Sequence, residues 1–388
     1  MGRTMIVKIA DNIISPLGFT TERNYQAVKA GESSIQLHER HWDIPEPFMA
    51  SLFKEGEIDN EFDKLHSACK YTDFEKATII SIDKALQQTT INPSSDRVQF
   101  FLSTTKGNIY LLDDKKEEFP KERALLGVSA QYITDFFRNP NPPIVISNAC
   151  ISGVCAQITA MRCLQSNRCD TAIVAGCDLQ SRFIVSGFQS FKALSPNQCK
   201  PFDAKRCGLN LGEAAATIIY NRKEQKDISN SEWLICRGAI RNDANHISGP
   251  SKTGEGSFRA LRSIIQEKDI PQIAFINSHG TSTLYNDEME SIAISRAGLQ
   301  SIPVNSLKGY YGHTMGAAGI LESILSMHAI DDKNILATRG YETCGVSHPL
   351  ILSNQNCPTD KQAFIKLLSG FGGCNAALLF KKGGLLWK

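Results

Sequence analysis

Short apolar runs alternate along the chain with stretches in which apolar residues recur at helical spacing. Runs rich in β-branched and aromatic residues predict strands at 98–103, 144–147, 171–175, 215–220, 273–277, 364–368 and 376–380. Helical spacing predicts helices over 152–166, 287–297 and 317–330. Apolar strands interleaved with helices are typical of an α/β fold whose sheets are covered by helices.

Two polar segments interrupt this pattern. Residues 221–232, NRKEQKDISNSE, lack apolar periodicity and predict a junction between two parts of the chain. Residues 104–142 predict an inserted segment of helix and loop. We expect its charged run, DDKKEEFPKER, to form a solvated face.

Composition and charge narrow the range of partners. Of the 388 residues, 42% are hydrophobic and 21% are charged, and a net charge of +2 gives no field that would attract nucleic acid or a membrane surface. The first residues lack the apolar core of a signal peptide, and no later stretch reaches the roughly 18 apolar residues of a membrane span. The sequence therefore predicts neither a nucleic-acid nor a membrane partner.

The 12 cysteines are scattered singly, with no CxxC pair and no Cys/His cluster at zinc spacing. Several lie in apolar contexts, as Cys177 and Cys236 do, where a reduced thiol acts as a small hydrophobic group. This usage predicts no metal site and a cytoplasmic protein.

One cysteine, Cys150, lies between a predicted strand and a predicted helix. The strand at 144–147 leads into Asn148 and Ala149, and the helical pattern begins directly after Cys150. At a helix N-terminus the helix dipole favours a thiolate, and the backbone N–H can face an oxyanion. Taken alone, such a junction more often carries a structural cysteine.

Two histidines lie in comparable turns. His279 follows the predicted strand 273–277 in NSHGTST, and His313 lies in KGYYGHTMGAAG, just ahead of the predicted helix 317–330. Either histidine alone is more typical of structure than of catalysis. Because ligand sites in α/β folds gather at the carboxyl ends of strands, these histidines together with Cys150 predict a shared site.

The segments NACISG, SHGTST, KGYYGHTMGAAG and SGFGGCN, in this order, resemble the active-site signatures of the β-ketoacyl-[acyl-carrier-protein] synthases. ISPLGF and FKALSPNQCKPFDAKRCGLNLGEAAA resemble other parts of the same family, so that the similarity extends over most of residues 10–385. The resemblance implies a thiolase-like layered αβαβα sandwich made of two similar halves. Residues 1–225 would form the half with the nucleophile, and residues 226–388 the half with the histidines.

The resemblance also implies a decarboxylative Claisen condensation. Cys150 would carry the acyl group as a thioester, and malonyl-[acyl-carrier-protein] would lose carbon dioxide so that its enolate attacks that thioester. His279 and His313 would donate hydrogen bonds to the enolate oxygen, Lys308 would set their charge, and Glu290 would support this lysine. Two histidines favour chain elongation, since related starter enzymes replace one of them with asparagine and thiolases use a second cysteine.

The other implied site residues surround the substrate. The N–H groups of Cys150 and Phe371 would form the oxyanion hole, with Phe371 as a gate. Thr281 and Thr283 would orient the pantetheine arm, and helix capping is the alternative role for them. Further assignments are Ile151, Phe188 and Phe191 to the acyl tunnel, and Lys205 and Arg206 to carrier docking. Cys155 and Cys163 are expected in the core, and Cys374 lies beside the oxyanion loop, where a small residue suffices.

The partner implied by the resemblance is an acyl carrier protein with phosphopantetheine-bound substrates, with no metal or organic cofactor. A dimer is implied as well, either a homodimer or a heterodimer with a homologous subunit. Between Thr104 and Asn148 the chain is shorter than the fatty-acid elongation enzymes, which leaves open the acyl chain length and the choice between fatty-acid and polyketide or polyene-type synthesis.

Three other functions compete with this one. The alternative is a subunit that acts mainly as the chain-length-determining partner of a heterodimeric ketosynthase, a type that usually lacks the nucleophile. A thiolase or starter synthase acting on coenzyme A esters predicts another residue at one histidine position. A purely structural protein has no need of Cys150, His279 and His313 together.

Overall fold

In the part of the chain that the structure describes, the main β-sheet contains ten strands. The structure is a computed structural model that describes residues 4–65, 70–113 and 119–387. The strands of the main sheet are β1 (Thr4–Ile14), β2 (Val98–Ser103), β3 (Ile144–Ile146), β4 (Thr171–Asp178), β5 (Ala214–Glu224), β6 (Trp233–Asn242), β7 (Ile273–Asn277), β8 (Val304–Asn305), β9 (Ala363–Gly370) and β10 (Cys374–Lys382). Shorter strands form two small sheets: Gln36–His38, Phe48–Ser51 and Leu211–Gly212 in one, and Asn334–Ile335 and Cys357–Pro358 in the other.

The strand order repeats one pattern twice. From one edge of the sheet to its middle, the strand order is β3-β2-β4-β5-β1. From the opposite edge to the middle, the order is β8-β7-β9-β10-β6, which is the same pattern with each strand number raised by five. In each copy the first three neighbours run parallel and the last two pairings are antiparallel. A single pair, Val7 with Leu234, joins the copies into one continuous sheet. Each of the predicted halves, 1–225 and 226–388, thus holds one copy of the pattern.

Helices form layers on both sides of each copy. The α-helices are α1 (Thr21–Lys29), α2 (Glu57–Leu65), α3 (Asp73–Leu86), α4 (Leu126–Phe136), α5 (Ser152–Gln165), α6 (Arg182–Ser190), α7 (Glu255–Ile264), α8 (Leu284–Arg296), α9 (Lys308–Tyr311) and α10 (Ala318–Asp331). Helix α3 packs on β1, β4 and β5 from outside, and α7 packs on β6 and β10. Helices α5 and α10 pack against each other and against strands of both copies. This arrangement is the αβαβα sandwich.

The two central helices approach closely because glycines lie where they meet. A Cβ placed on Gly319 would lie 2.6 Å from the Val154 backbone nitrogen, and one on Gly153 would lie 2.8 Å from the Gly316 carbonyl oxygen. Side chains there would hold the helices apart, so the glycines set the spacing between the copies. Since α5 begins next to Cys150 and α10 follows His313, this packing also brings the predicted site together.

The structure corrects two expectations about the polar segments. Strand β5 runs on to Glu224, paired with β1 throughout, so residues 221–224 are strand rather than junction. In the charged run, residues 114–118 lie outside the described part of the chain. Arg123, at the end of that run, is buried and paired with Glu75, which also accepts from the N-cap residue of α3. The solvated-face prediction is therefore wrong for Arg123.

None of the described helices is a candidate for a membrane span. Within the described ranges, every helix is too short or too polar to cross a lipid bilayer.

Candidate active site

Cys150 lies in a tight turn between β3 and α5. Ala149, just before it, has φ = 45°, in the left-handed region that residues other than glycine seldom occupy. The Ser152 hydroxyl donates to the Ala149 carbonyl at 2.6 Å and accepts from the Asn148 N–H at 2.8 Å. These bonds hold the strained turn and fix the Cys150 side chain at the start of the helix.

The environment of Cys150 differs from the expectation of a favoured thiolate. Burial raises the pKa of the Cys150 thiol from 9.0 to about 12, and the nearby Cys374 acts in the same direction. The Lys308 charge and a hydrogen bond from the Phe371 N–H lower this pKa, but by less than burial raises it. Desolvation thus outweighs the groups that favour the anion, and the resting residue is a thiol.

His279 and His313 lie beside this thiol. Their ring centroids are 5.0 Å apart with the planes at 79°, and both side chains are buried. One ligand atom from each histidine and the Cys150 Sγ all lie within 4.8 Å of one another. The structure therefore brings together the three residues that the sequence placed in separate turns.

Local hydrogen bonding fixes the tautomer of His313. The Met315 backbone N–H donates to His313 Nδ1 at 3.2 Å, so this nitrogen carries no hydrogen in the neutral ring. The hydrogen is therefore on Nε2, which is buried without a hydrogen-bond partner among the described residues. His313 thus presents an unused N–H donor. The Nδ1 of His279 is likewise buried and unpaired within the described chain, so no bond to that nitrogen fixes its tautomer.

Both histidines are held in the neutral form. Burial lowers the pKa of each well below 6.5, and the positive charges of Lys308 and Lys366 lower it further. Neutral imidazole can donate one hydrogen bond and accept one proton at neutral pH. The site therefore contains a thiol, a fixed N–H donor and a second imidazole that is free to take either role.

Lys308 is almost fully buried, as a role inside the site requires, but its partner is not Glu290. Its Nζ lies 2.6 Å from Glu322 Oε1, and the Nζ of Lys366 lies 2.5 Å from Glu322 Oε2. The sequence analysis missed Glu322 and Lys366. A signal existed for each: Glu322 is an acid within the apolar helix 318–331, and Lys366 is a lysine within the apolar strand AFIKLLSG.

Glu290 supports a different part of the site. Its carboxylate accepts from the backbone N–H groups of His279 and Gly280, both at 2.7 Å, and from the Asn286 amide at 2.9 Å. Glu290 is buried, as the resemblance implied, and its hydrogen bonds go to the His279 loop and Asn286. Because Glu290 lies on α8 and accepts hydrogen bonds from His279 and Gly280, its carboxylate ties this helix to the loop that carries His279.

Phe371 lies in the short turn between β9 and β10. Gly372 and Gly373 have φ values of 84° and 72°, which glycine adopts without strain. A Cβ on Gly370 would lie 2.9 Å from Cys374 Sγ and 3.1 Å from the Cys150 nitrogen. Glycine at these positions therefore brings the Phe371 N–H up to Cys150, as an oxyanion hole requires.

A cavity of about 300 Å³ leads to these groups. The predicted residues that line it are Cys150, Phe188, Phe191, His279, Thr281, Thr283, His313 and Phe371. The Phe371 ring lies 5.9 Å from that of Phe188 and 5.5 Å from that of Phe191, so the three rings form one cluster. Ile151 is instead buried in the core and does not line this cavity.

Both threonines border the cavity, and Thr283 also caps a helix. Thr281 and Thr283 hydroxyls lie 2.9 Å apart and face the cavity. Thr283 is also the N-cap of α8, where its side chain accepts from the Asn286 N–H. Capping therefore fixes the hydroxyl that borders the cavity.

The two residues predicted for carrier docking, Lys205 and Arg206, differ in exposure. Arg206 is buried, and its guanidinium donates to the carbonyls of Asp203, Gly345 and Leu284, so it is a structural residue. Lys205 is exposed. Cys155 and Cys163 are buried in the apolar core, as predicted, and Cys374 is buried there as well.

Cys150, His279 and His313 are also of the types that bind zinc. The charges around them oppose a cation, because Lys308 and Lys366 are buried nearby with Glu322 as their shared carboxylate. The donor set therefore suits an anion that develops during a reaction better than a metal ion.

Comparison with known proteins gives one family over most of the chain. Residues 4–226 match the β-ketoacyl synthase N-terminal domain, and residues 234–342 match the β-ketoacyl synthase C-terminal domain. The chain is 25% identical to 3-oxoacyl-[acyl-carrier-protein] synthase 2 of Vibrio cholerae, covering 98% of this chain and 100% of that protein.

Solved structures agree on the fold. The ishigamide ketosynthase/chain length factor has a TM-score of 0.84 at 22% identity, covering 98% of this chain and 99% of that one. A type II polyketide ketosynthase in complex with its acyl-carrier protein has a TM-score of 0.81 at 19% identity, covering 98% and 100%. The chain therefore belongs to the β-ketoacyl synthase family, acyltransferases that catalyse the condensation step in building acyl chains on a carrier protein.

Proposed function

We propose that Cys150 accepts an acyl group from an acyl carrier protein, and that His279 and His313 promote decarboxylation of a malonyl carrier protein for condensation with it. The observation that carries this proposal is the cluster in which Cys150 Sγ and one nitrogen of each histidine lie within 4.8 Å at the cavity. Lys308, Glu290 and Phe371 have supporting roles.

Acyl transfer begins from the thiol. Because burial holds the Cys150 pKa near 12, the proton must leave as sulfur attacks the incoming thioester. His313 Nδ1 already accepts from Met315, which leaves His279 as the acceptor of this proton. The sulfur–acyl bond forms at Cys150, the bond to the pantetheine sulfur breaks, and that sulfur leaves with the proton from His279.

Decarboxylation needs hydrogen-bond donors at the enolate oxygen. The Nε2–H of His313 is such a donor, already oriented by Met315, and neutral His279 supplies the second once acyl transfer is complete. The bond between the malonyl carboxylate carbon and the central carbon breaks, carbon dioxide leaves, and the electrons of that bond form the enolate. Burial strengthens each donor, because no bulk water competes for the oxygen.

Condensation then takes place at the carbonyl carbon of the acyl group that Cys150 holds as a thioester. The enolate carbon attacks the thioester, and the resulting oxyanion accepts hydrogen bonds from the N–H groups of Cys150 and Phe371. Collapse of this intermediate releases the Cys150 sulfur, which takes up a proton, and leaves a β-ketoacyl carrier protein. The Phe188, Phe191 and Phe371 cluster provides apolar surface for the acyl chain.

The partners follow from the same chemistry. The cavity that leads to Cys150 is bordered by the hydroxyls of Thr281 and Thr283, which can bond the polar groups of a pantetheine arm, and one of the similar structures holds a carrier protein with its ketosynthase. We extend this partner to the present chain, together with a homodimer or a heterodimer with a homologous subunit. The cysteines in the described ranges are all free, which supports a reducing, cytoplasmic setting.

The test is product formation from defined substrates. Purified protein is incubated with malonyl carrier protein and with acyl carrier proteins of several chain lengths, and products are separated by mass. We expect a β-ketoacyl carrier protein two carbons longer than the acyl donor, and none with Cys150→Ala. Absence of product with every donor, also after adding a homologous subunit, would contradict the proposal and favour a chain-length-determining subunit.

A further inference from the structure

Lys366 lies in an unusual place for a lysine. It is fully buried in β9, within a run of apolar residues, and it follows the part of the chain matched by the family's C-terminal domain, residues 234–342. Burial of an ammonium group costs several kcal/mol before its partners compensate, and an apolar residue of similar size often packs there at least as well. Packing alone therefore gives no reason for this lysine.

Its contacts lead to the histidine loop. Lys366 Nζ donates to Asn277 Oδ1 at 2.6 Å and to the Ser278 carbonyl at 3.2 Å, directly ahead of His279. The same ammonium pairs with Glu322 Oε2, while Lys308 pairs with Glu322 Oε1. Two buried lysines thus share one buried carboxylate, and the local excess of charge is positive.

We infer that Lys366 is a positioning residue for the condensation: it anchors the backbone ahead of His279 and supplies the second positive charge that keeps the two histidines neutral. This rests on the proposed roles of His279 and His313. The direction of the histidine pKa values supports it, since burial, Lys308 and Lys366 all lower them.

The other ionisable groups around the histidines do not replace this charge. They are Cys150 at the start of α5, Asp178 at the end of β4, Asp287 and Glu290 on α8, Lys308 on α9 and Glu322 on α10. Asp178, Asp287 and Glu290 all have a pKa raised by burial. Lys308 remains when Lys366 is removed, and it then neutralises Glu322 alone. The excess positive charge therefore depends on Lys366.

The consequence is a pH dependence of acyl transfer. His279 can accept the Cys150 proton only while neutral, so the rate of acyl loading falls below the histidine pKa. Without the Lys366 charge that pKa rises, and the acid limb of the loading rate moves to higher pH. We expect a shift of about one pH unit, as for loss of one charge in a partly polar interior.

The experiment measures the initial rate of acyl loading on Cys150 between pH 4 and 8 for Lys366→Met and Lys366→Gln. Glutamine keeps a donor for Asn277 without the charge, so the same shift in both variants assigns the effect to charge. The matched control is Lys381→Met on the adjacent strand β10, which loses a partly buried pair with Asp269. We expect its acid limb to stay at the wild-type position.

Two outcomes would overturn the inference: an unchanged acid limb in whichever Lys366 variants fold, or an equal shift in Lys381→Met. His279→Ala in the same assay separates this from failure of the proposed function. If His279→Ala keeps the wild-type rate and acid limb, the role of His279 itself is wrong. If His279→Ala loses the loading rate and its acid limb while the Lys366 variants keep the wild-type acid limb, only the role of Lys366 is wrong.

Discussion

The two copies of the strand pattern have the same topology and different chemistry at corresponding strand ends. After the third strand of each copy, the first provides Cys150 and the second provides Lys308 and His313. After the second strand, the first copy has Thr104, held by Asp178, where the second has His279, held by Glu290. The fold thus supplies equivalent positions, and the loops determine the reaction.

The connections after the fourth strand differ most. In the second copy β9 and β10 form a hairpin whose turn, at Phe371, reaches Cys150 of the first copy. In the first copy the chain between β4 and β5 is long and contains α6, whose Phe188 contacts Phe371. Each copy therefore completes the site of the other. The predicted division of work is a nucleophile from the first copy and donors from the second.

Replacing the nucleophile should distinguish the catalytic roles of the two copies most clearly. We expect Cys150→Ala to lose acyl loading by roughly 10³-fold or more, since Cys150 is the thiol that lies beside His279 and His313. Malonyl decarboxylation should persist, because its donors come from the second copy. Loading is measured by intact-protein mass and decarboxylation by release of carbon dioxide. Loss of both activities in a folded variant would break the comparison.

Removal of one donor tests the second copy. We expect His313→Ala to slow malonyl decarboxylation by about 10²- to 10³-fold, the usual effect of losing one oriented donor at a developing oxyanion. Acyl loading should fall less than about tenfold, because His313 Nδ1 is already bonded to Met315. Rates of both half-reactions, taken on the same preparation, check this. Equal losses in both would assign His313 to acyl transfer as well.

The contact between the copies should be sensitive to one methyl group. Gly319→Ala places a Cβ 2.6 Å from the Val154 backbone nitrogen, which cannot rotate away. We expect the free energy of unfolding to fall by about 3 kcal/mol, measured by urea denaturation. The matched control is Gly127→Ala in α4, where nothing lies within 4 Å of the added atom. An equal effect of the two substitutions would contradict close packing of α5 and α10.

The carboxylate that holds the His279 loop should give a pH-dependent stability. Burial raises the pKa of Glu290 from 4.5 to about 7. A raised carboxyl pKa means that the folded state binds the proton more tightly, so this contribution is full below pH 4.5 and is lost as pH rises through 7. Relative to Glu290→Gln, wild-type stability should fall by about 2 kcal/mol between pH 5 and pH 7. A difference that is constant with pH would contradict the raised pKa.

Much of the fold could be predicted from the pattern of the sequence. Strands β2 and β7 have the predicted bounds, because both are short apolar runs bounded by polar residues. Strand β8 has only two residues and leaves no periodicity to detect. Strand β1 mixes Lys8, Asp11 and Asn12 with apolar residues, because parts of it bury polar groups in ion pairs and hydrogen bonds.

The site was predictable where chemistry follows local motifs and not where it depends on long-range pairing. Cys150, His279 and His313 lie in recognisable turns, and the structure brings them together. The pairing of Lys308 with Glu322 was not predicted, because Glu322 reaches Lys308 from α10 through tertiary packing. Ile151, the N-cap residue of α5, is buried in the core, a placement that depends on tertiary packing and that a motif cannot reveal.

The most direct test of the division between the copies follows the acyl group on one residue. Wild type, Cys150→Ala and His313→Ala are incubated with an acyl carrier protein, digested, and the acylated peptide is identified by mass before and after addition of malonyl carrier protein. We predict that wild type is acylated at Cys150 and discharged, His313→Ala is acylated but retains the acyl group, and Cys150→Ala is never acylated. An acyl group on another residue, or discharge of His313→Ala at the wild-type rate, would contradict the account.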